Sequence, residues 1–203
     1  MTYVAERKGG ADGAPLILTF HGTGGDEHQF HGLASELVPD AHVVSPRGDV
    51  SEMGANRYFR RTGEGVYDMD DLWARTEAMV EFIESEKSRT GAERVMAFGY
   101  SNGANILAAV SFVRPDLLDD VALLHPLIPW APEAQPGLVG RRVLITAGER
   151  DPICPPPATL ALEQYYRAQG SQVLMVWQSG GHELWREEVE ALQDFLQREA
   201  AVD

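Results

Sequence analysis

Cysteine is nearly missing from this sequence: Cys154 is the single one among 203 residues. A disulfide within the chain is therefore excluded, and a cytoplasmic location is expected. Long apolar runs are missing too. No stretch approaches the roughly 20 apolar residues that span a bilayer, and residues 1–8, MTYVAERK, carry no apolar signal-peptide core. Basic residues are few: Lys and Arg number 17 against 31 Asp and Glu, for a net charge of −14. A field of that sign repels nucleic acid and anionic membrane surfaces, so neither is expected as a partner. The acidic clusters at 64–71, 81–86 and 183–190 read as solvated faces or helix starts.

Several motifs are absent as well. The glycine-rich segments match neither G-x-x-x-x-G-K-[ST] nor G-x-G-x-x-G, which argues against a phosphate cradle. There are no paired cysteines and no H-E-x-x-H, so His21, Asp26, His28 and His31 are not expected to bind metal. His28 and His31 are read onto a solvated helix face. No cofactor is expected. Repeats, low-complexity segments and long linkers are lacking, and a single domain over residues 1–203 is expected. Little length is left for a lid.

What is present is an alternation. Strand-length apolar runs recur at Leu16–Phe20, His42–Ser45, Val95–Tyr100, Val121–His125, Val143–Ala147 and Val173–Trp177. Helical patterns fall between or after them, at Glu27–Leu37, Asp70–Arg89, Asn102–Val113, Pro157–Gln169 and Glu183–Glu199. This order predicts an α/β fold, a mostly parallel sheet with helices on both faces. Near-continuous apolar strands fit a sheet buried on both sides. Tyr3–Lys8 is expected to add an antiparallel edge strand. Ligands of such sheets lie beyond the carboxyl ends of the strands.

One of those ends carries chemistry. Gly99-Tyr100-Ser101-Asn102-Gly103 is a G-x-S-x-G pentapeptide between a strand and a helix, the setting of a nucleophile elbow. Glycine at 99 and 103 relieves the crowding of so tight a turn. A serine hydroxyl is a weak nucleophile and needs a histidine base oriented by a carboxylate. In the chain order Ser, acid, His, only His125 and His182 follow Ser101. His125 ends a strand before Pro126 and is expected near the site without being the base. His182 lies in Ser179-Gly180-Gly181-His182-Glu183, between the last strand and the last helix, and is the expected base. Asp151, in Gly148-Glu149-Arg150-Asp151-Pro152 after the preceding strand, is the expected acid, with Glu149 as competitor. Two backbone donors should form the oxyanion hole: the N–H of Asn102, and that of Thr23 in His21-Gly22-Thr23-Gly24-Gly25-Asp26.

On these motifs the chain resembles an α/β-hydrolase, within the bacterial carboxylesterase/phospholipase group that includes acyl-protein thioesterases and dienelactone-hydrolase-like esterases. A further segment, from Ser45-Pro46-Arg47-Gly48 through Arg57-Tyr58-Phe59-Arg60-Arg61 to Asp68-Met69-Asp70-Asp71-Leu72, is similar to small bacterial esterases linked to hydroquinone or catechol stress. The resemblance implies Ser101, Asp151 and His182 as a triad, with Thr23 and Asn102 as oxyanion donors. Two departures stand out. Acyl-protein thioesterases usually carry glutamine after the serine, where this chain has Asn102. Dienelactone hydrolases use a cysteine nucleophile, where this chain has Ser101; Cys154 reads as a small apolar residue near the acid loop.

The expected activity is serine carboxylesterase hydrolysis of small esters. A thioesterase or lysophospholipase for longer acyl chains is the alternative, and a non-catalytic ligand-binding protein is the reading from another class. The pocket is expected from loops after the strands. Tyr58 and Phe59 would wall the substrate, Arg57 or Arg60 would hold a carboxylate, and Leu127, Ile128 and Trp130 would supply an apolar wall. Trp185 is expected to do likewise or to anchor the last helix. A homodimer is plausible from the resemblance alone.

Overall fold

The computed structural model describes residues 3–198, and the apolar runs of the sequence become its central sheet. The strands are β1 (Ala5–Lys8), β2 (Leu16–Phe20), β3 (His42–Pro46), β4 (Val50–Glu52), β5 (Ala55–Arg57), β6 (Arg61–Gly63), β7 (Val66–Tyr67), β8 (Val95–Tyr100), β9 (Asp120–Leu124), β10 (Arg142–Gly148) and β11 (Gln172–Gln178). The helices are α1 (His31–Leu37), α2 (Met69–Thr90), α3 (Asn102–Val113), α4 (Pro156–Ala168) and α5 (Arg186–Gln197). Seven strands form the sheet, in the order β1-β3-β2-β8-β9-β10-β11. All run parallel except β1, which pairs antiparallel with β3 as the edge strand expected from the sequence.

The period-two alternation of side chains splits the core in two. On one face Leu16, Leu18, Val95, Ala97, Val121, Leu123, Val143 and Ile145 pack against α2, α3 and α4. On the other, Ile17, Val43, Met96, Phe98, Ala122 and Leu144 pack against Phe30, α1 and α5. This is the α/β-hydrolase architecture, with no lid evident among the described residues. Among the described residues no helix is long and apolar enough to cross a membrane.

The structure revises several boundaries: the last helix begins at Arg186 rather than Glu183, and β9 ends at Leu124 rather than His125. α1 starts at His31 rather than Glu27, because Glu27 turns inward and takes both arms of the Arg47 guanidinium. His28 then lies in an exposed turn, and His31 does not face solvent fully: its Nδ1 is 2.9 Å from Ser45 Oγ. The segment 51–69, expected as a long pocket-forming loop, instead carries two small antiparallel ribbons, β4–β5 and β6–β7, and runs into α2 at Met69. Glu199, the expected last residue of the last helix, lies outside the described residues.

Candidate active site

The segments that follow β2, β8, β9, β10 and β11 meet at one end of the sheet and carry Thr23, Ser101, His125, Asp151 and His182 respectively. Ser101 joins β8 to α3 with φ 51° and ψ −114°, left-handed backbone that a serine adopts only under constraint. The constraint is visible. A Cβ on Gly103 would run into the backbone carbonyls of Phe20 and His21, and one on Gly99 would meet the Gly103 carbonyl at 2.6 Å. The elbow glycines therefore let the turn close on the neighbouring strand as well as on itself.

Ser101 Oγ is 2.9 Å from His182 Nε2, and His182 Nδ1 is 2.7 Å from Asp151 Oδ2. The histidine loop is held from several sides. The Tyr100 hydroxyl donates to the His182 carbonyl at 2.6 Å. Burial first, then the nearby Asp151, pushes that phenol up to about 12, so it stays a donor. Gln178 Nε2 donates to the carbonyls of Gly181 and Glu183, and Arg150 N donates to the Gly180 carbonyl. The acid loop presses on the histidine loop at Gly148, where a Cβ would collide with the Gly181 carbonyl. Burial opposes ionisation of Asp151. The amides of Cys154 and Ile153 and the rings of His125 and His182 outweigh it and hold its carboxyl below the usual range.

Thr23 and Asn102 line the same cleft as Ser101. Among the described residues neither backbone N–H has a protein acceptor. Asn102 opens α3, so its amide is one of the unpaired donors of a helix start. The Asn102 side chain is engaged elsewhere, its Oδ1 accepting from Tyr58 N at 2.8 Å. His21 is buried and braces the Thr23 loop, with Nδ1 2.7 Å from the Gly22 carbonyl and Nε2 accepting from Gly48 N at 2.9 Å.

The pocket differs from expectation. Tyr58 and Phe59 are fully buried and cannot wall a substrate. The Tyr58 hydroxyl accepts from His21 N and donates to the Pro46 carbonyl, and Phe59 packs against Tyr67. Both aromatic side chains are scaffold, because the ribbons turn them into the core. Arg60 points away to Asp68 and Asp71. Arg57 does line the cleft, with Arg61, but is already bonded to Thr23 Oγ1 at 2.8 Å and the Phe59 carbonyl at 3.2 Å, with Glu52 at 3.4 Å. The cleft at Ser101 is small, about 30 Å³. Gly65 and Tyr67 separate it from a larger groove of about 720 Å³, lined by Trp73, Phe112 and Trp130. Trp130 sits in the groove rather than beside Ser101. Trp185 occupies the N-cap position of α5 and anchors that helix.

Two further residues stand behind the acid: His125, near the site without being the base as the sequence reading expected, and Glu188, which departs from that reading. His125 is completely buried, with Nδ1 3.0 Å from Asp151 Oδ2 and Nε2 2.8 Å from Glu188 Oε1. Glu188, in the 183–190 cluster read as a solvated face or helix start, does lie in the first turn of α5, but its side chain is fully buried. No sequence signal singled it out: Trp185, three residues before it at the N-cap, has no side-chain oxygen to complete a capping box, and only its backbone N–H bonds Glu188 Oε2, at 2.8 Å. His125, Asp151 and His182 offer metal-type ligand atoms within 4.8 Å of one another, but their contacts have hydrogen-bond lengths and each carboxylate–imidazole pair is already satisfied.

The profile of the dienelactone hydrolase family matches residues 49–199. The MhqD protein of Bacillus subtilis (strain 168), provisionally named a hydrolase, is 40% identical over 197 residues, covering 96% of this chain and 97% of that protein. The crystal structure of Atu2452 from Agrobacterium tumefaciens str. C58, a protein of unknown function, superposes with a TM-score of 0.91 at 51% identity, covering 96% of this chain and 95% of that one. The Bacillus cereus carboxylesterase structure superposes at 0.88 with 36% identity, covering 95% and 92%.

Proposed function

Since the chain belongs to the dienelactone hydrolase family and is a hydrolase acting on esters, we propose that it cleaves small carboxylic esters through an acyl-enzyme on Ser101. The observation that carries this reading is the continuous Ser101–His182–Asp151 hydrogen-bond chain, ending on a serine whose backbone is held at φ 51°. His182 Nε2 takes the hydroxyl proton as Ser101 Oγ attacks the ester carbonyl. Asp151 orients His182 and offsets the positive charge it gains. The amides of Thr23 and Asn102 receive the developing oxyanion. His182 then returns the proton to the leaving alcohol, and water, deprotonated by His182, hydrolyses the acyl-enzyme. The narrow cleft favours a small group at the reacting carbon.

A second reading, hydrolysis of longer acyl chains, is favoured by the aromatic groove beyond Tyr67. A ladder of p-nitrophenyl esters of increasing chain length, run with wild type and Ser101→Ala, separates the two. We expect activity concentrated in short esters, and a fall in kcat of about four orders of magnitude or more in Ser101→Ala. Near-full turnover by that variant rejects Ser101 as nucleophile. A kcat/KM that climbs with each added methylene moves the substrate to the longer-chain class.

A further inference from the structure

We propose that His125, held as an imidazolium between Asp151 and Glu188, is a positioning residue that shares the Asp151 carboxylate with His182 and so sets the pH at which His182 accepts the Ser101 proton. The inference rests on the Ser101 reading above and extends it.

The geometry leads. Each ring nitrogen of His125 faces a carboxylate oxygen, Nδ1 to Asp151 Oδ2 at 3.0 Å and Nε2 to Glu188 Oε1 at 2.8 Å. A neutral imidazole has one N–H and one lone pair. One of these contacts would then set a lone pair against a carboxylate; only the doubly protonated ring donates to both. The remaining oxygens are already occupied: Asp151 Oδ1 by the amides of Ile153 and Cys154, Glu188 Oε2 by Trp185 N. All three side chains are fully buried, so no water competes for the proton.

The backbone of His125 is constrained to this end. Among the described residues it is one of three non-glycine residues at positive φ, at 52°, and Ser101 is another. Its N–H donates to the Thr146 carbonyl, and its own carbonyl accepts the Cys154 thiol at 3.2 Å. Strain at a buried histidine, fixed at both backbone groups, marks a ring that must point one way. The electrostatics agree: burial opposes the charge, but Glu188 and Asp151 raise the His125 pKa above its ordinary value.

Other groups around the ring complete the environment. His182 stacks edge-on at 5.3 Å between ring centroids and Tyr100 at 6.0 Å, both as neighbours rather than partners. The Cys154 thiol is pushed up by burial and stays protonated, and Glu183 acts from beyond direct contact. The consequence for His182 follows from distance. The ring of His125 lies 5.3 Å from that of His182 between centroids, and Glu188 is bonded to the His125 nitrogen that does not face Asp151. The pair therefore offsets part of the Asp151 charge that faces His182.

Glu188→Gln keeps the side-chain size and a hydrogen bond to His125 while releasing the extra proton. Asp151 then acts on His182 undiminished, and the acid limb of kcat/KM should move up by about one pH unit with KM little changed. A purely structural role for His125 would lower stability or kcat without moving the limb. An unmoved limb, with turnover that still depends on Ser101, overturns the proposal; turnover that persists in Ser101→Ala overturns the underlying hydrolytic reading instead. Should Glu188→Gln not fold, 15N imidazole NMR of the wild type near pH 7 carries the test. Both His125 nitrogens are expected to be protonated, and a single N–H overturns the proposal.

Discussion

Single residues in this protein hold one another across long stretches of chain. Tyr58 is the clearest case. The sequence places it in the loop that should face substrate, yet its hydroxyl bridges His21 N and the Pro46 carbonyl inside the core. Burial pushes its phenol far above the ordinary range, so it remains a donor at all relevant pH. Tyr58→Phe would leave that buried amide and carbonyl unpaired, at a cost of about 1–3 kcal/mol. We expect a lower urea midpoint and an unchanged KM for a small ester. A raised KM at wild-type stability would return Tyr58 to the substrate wall.

Elements divide the labour between the two ends of the sheet. At the carboxyl ends lie the loops with Thr23, Ser101, His125, Asp151 and His182. At the opposite end, Asp120 opens β9 and is buried between Arg94 and Arg142, with its carboxylate 2.6 Å from each. Removing one partner from such a cluster strands the others, and Asp120→Ala should cost about 3 kcal/mol. Because a strand's length separates Asp120 from the loops that carry Ser101, Asp151 and His182, kcat/KM of the folded variant should equal that of wild type. A parallel loss of kcat/KM, measured well below the melting temperature, would show that the strand starts and ends are coupled. The helices and strands themselves were largely legible: β2, β8 and α3 have the bounds read from the apolar pattern. The start of α1 was not, because Glu27 is drawn out of helical register by Arg47, 20 positions further along the chain.

For the whole molecule, charge and pH act together. The carboxyls of Asp151 and Glu188 lie below their ordinary range, and Glu27 is held at about 2 by Arg47. Such groups contribute stability that is present above their unfolded values of about 4 and lost as pH falls through their folded values. His125 has the opposite sign: its raised pKa contributes stability fully below about 6.5, lost as pH rises through the folded value. Stability should therefore peak in the mildly acidic to neutral range and decline on both sides. Urea midpoints from pH 3 to 9 test this, and Glu188→Gln should flatten the alkaline decline. The net charge of −14 adds self-repulsion on that same side, which added salt should weaken. An alkaline decline identical in wild type and variant would remove His125 from the account.

Local signals in the chain were enough for the alternation of strands and helices, the edge strand, and the succession of Ser101, Asp151 and His182 after three of the strands. Those signals are period-two apolar runs, and glycines that permit one tight turn. Tertiary structure alone decided which arginine reaches the cleft, that Tyr58 and Phe59 turn inward, and that His125 and Glu188 stand behind Asp151. His125 and Glu188 are 63 positions apart, and a buried glutamate has the same letter as a solvated one. Only when the β9, β10 and β11 ends are packed side by side does excluding water from that corner force the charges to pair.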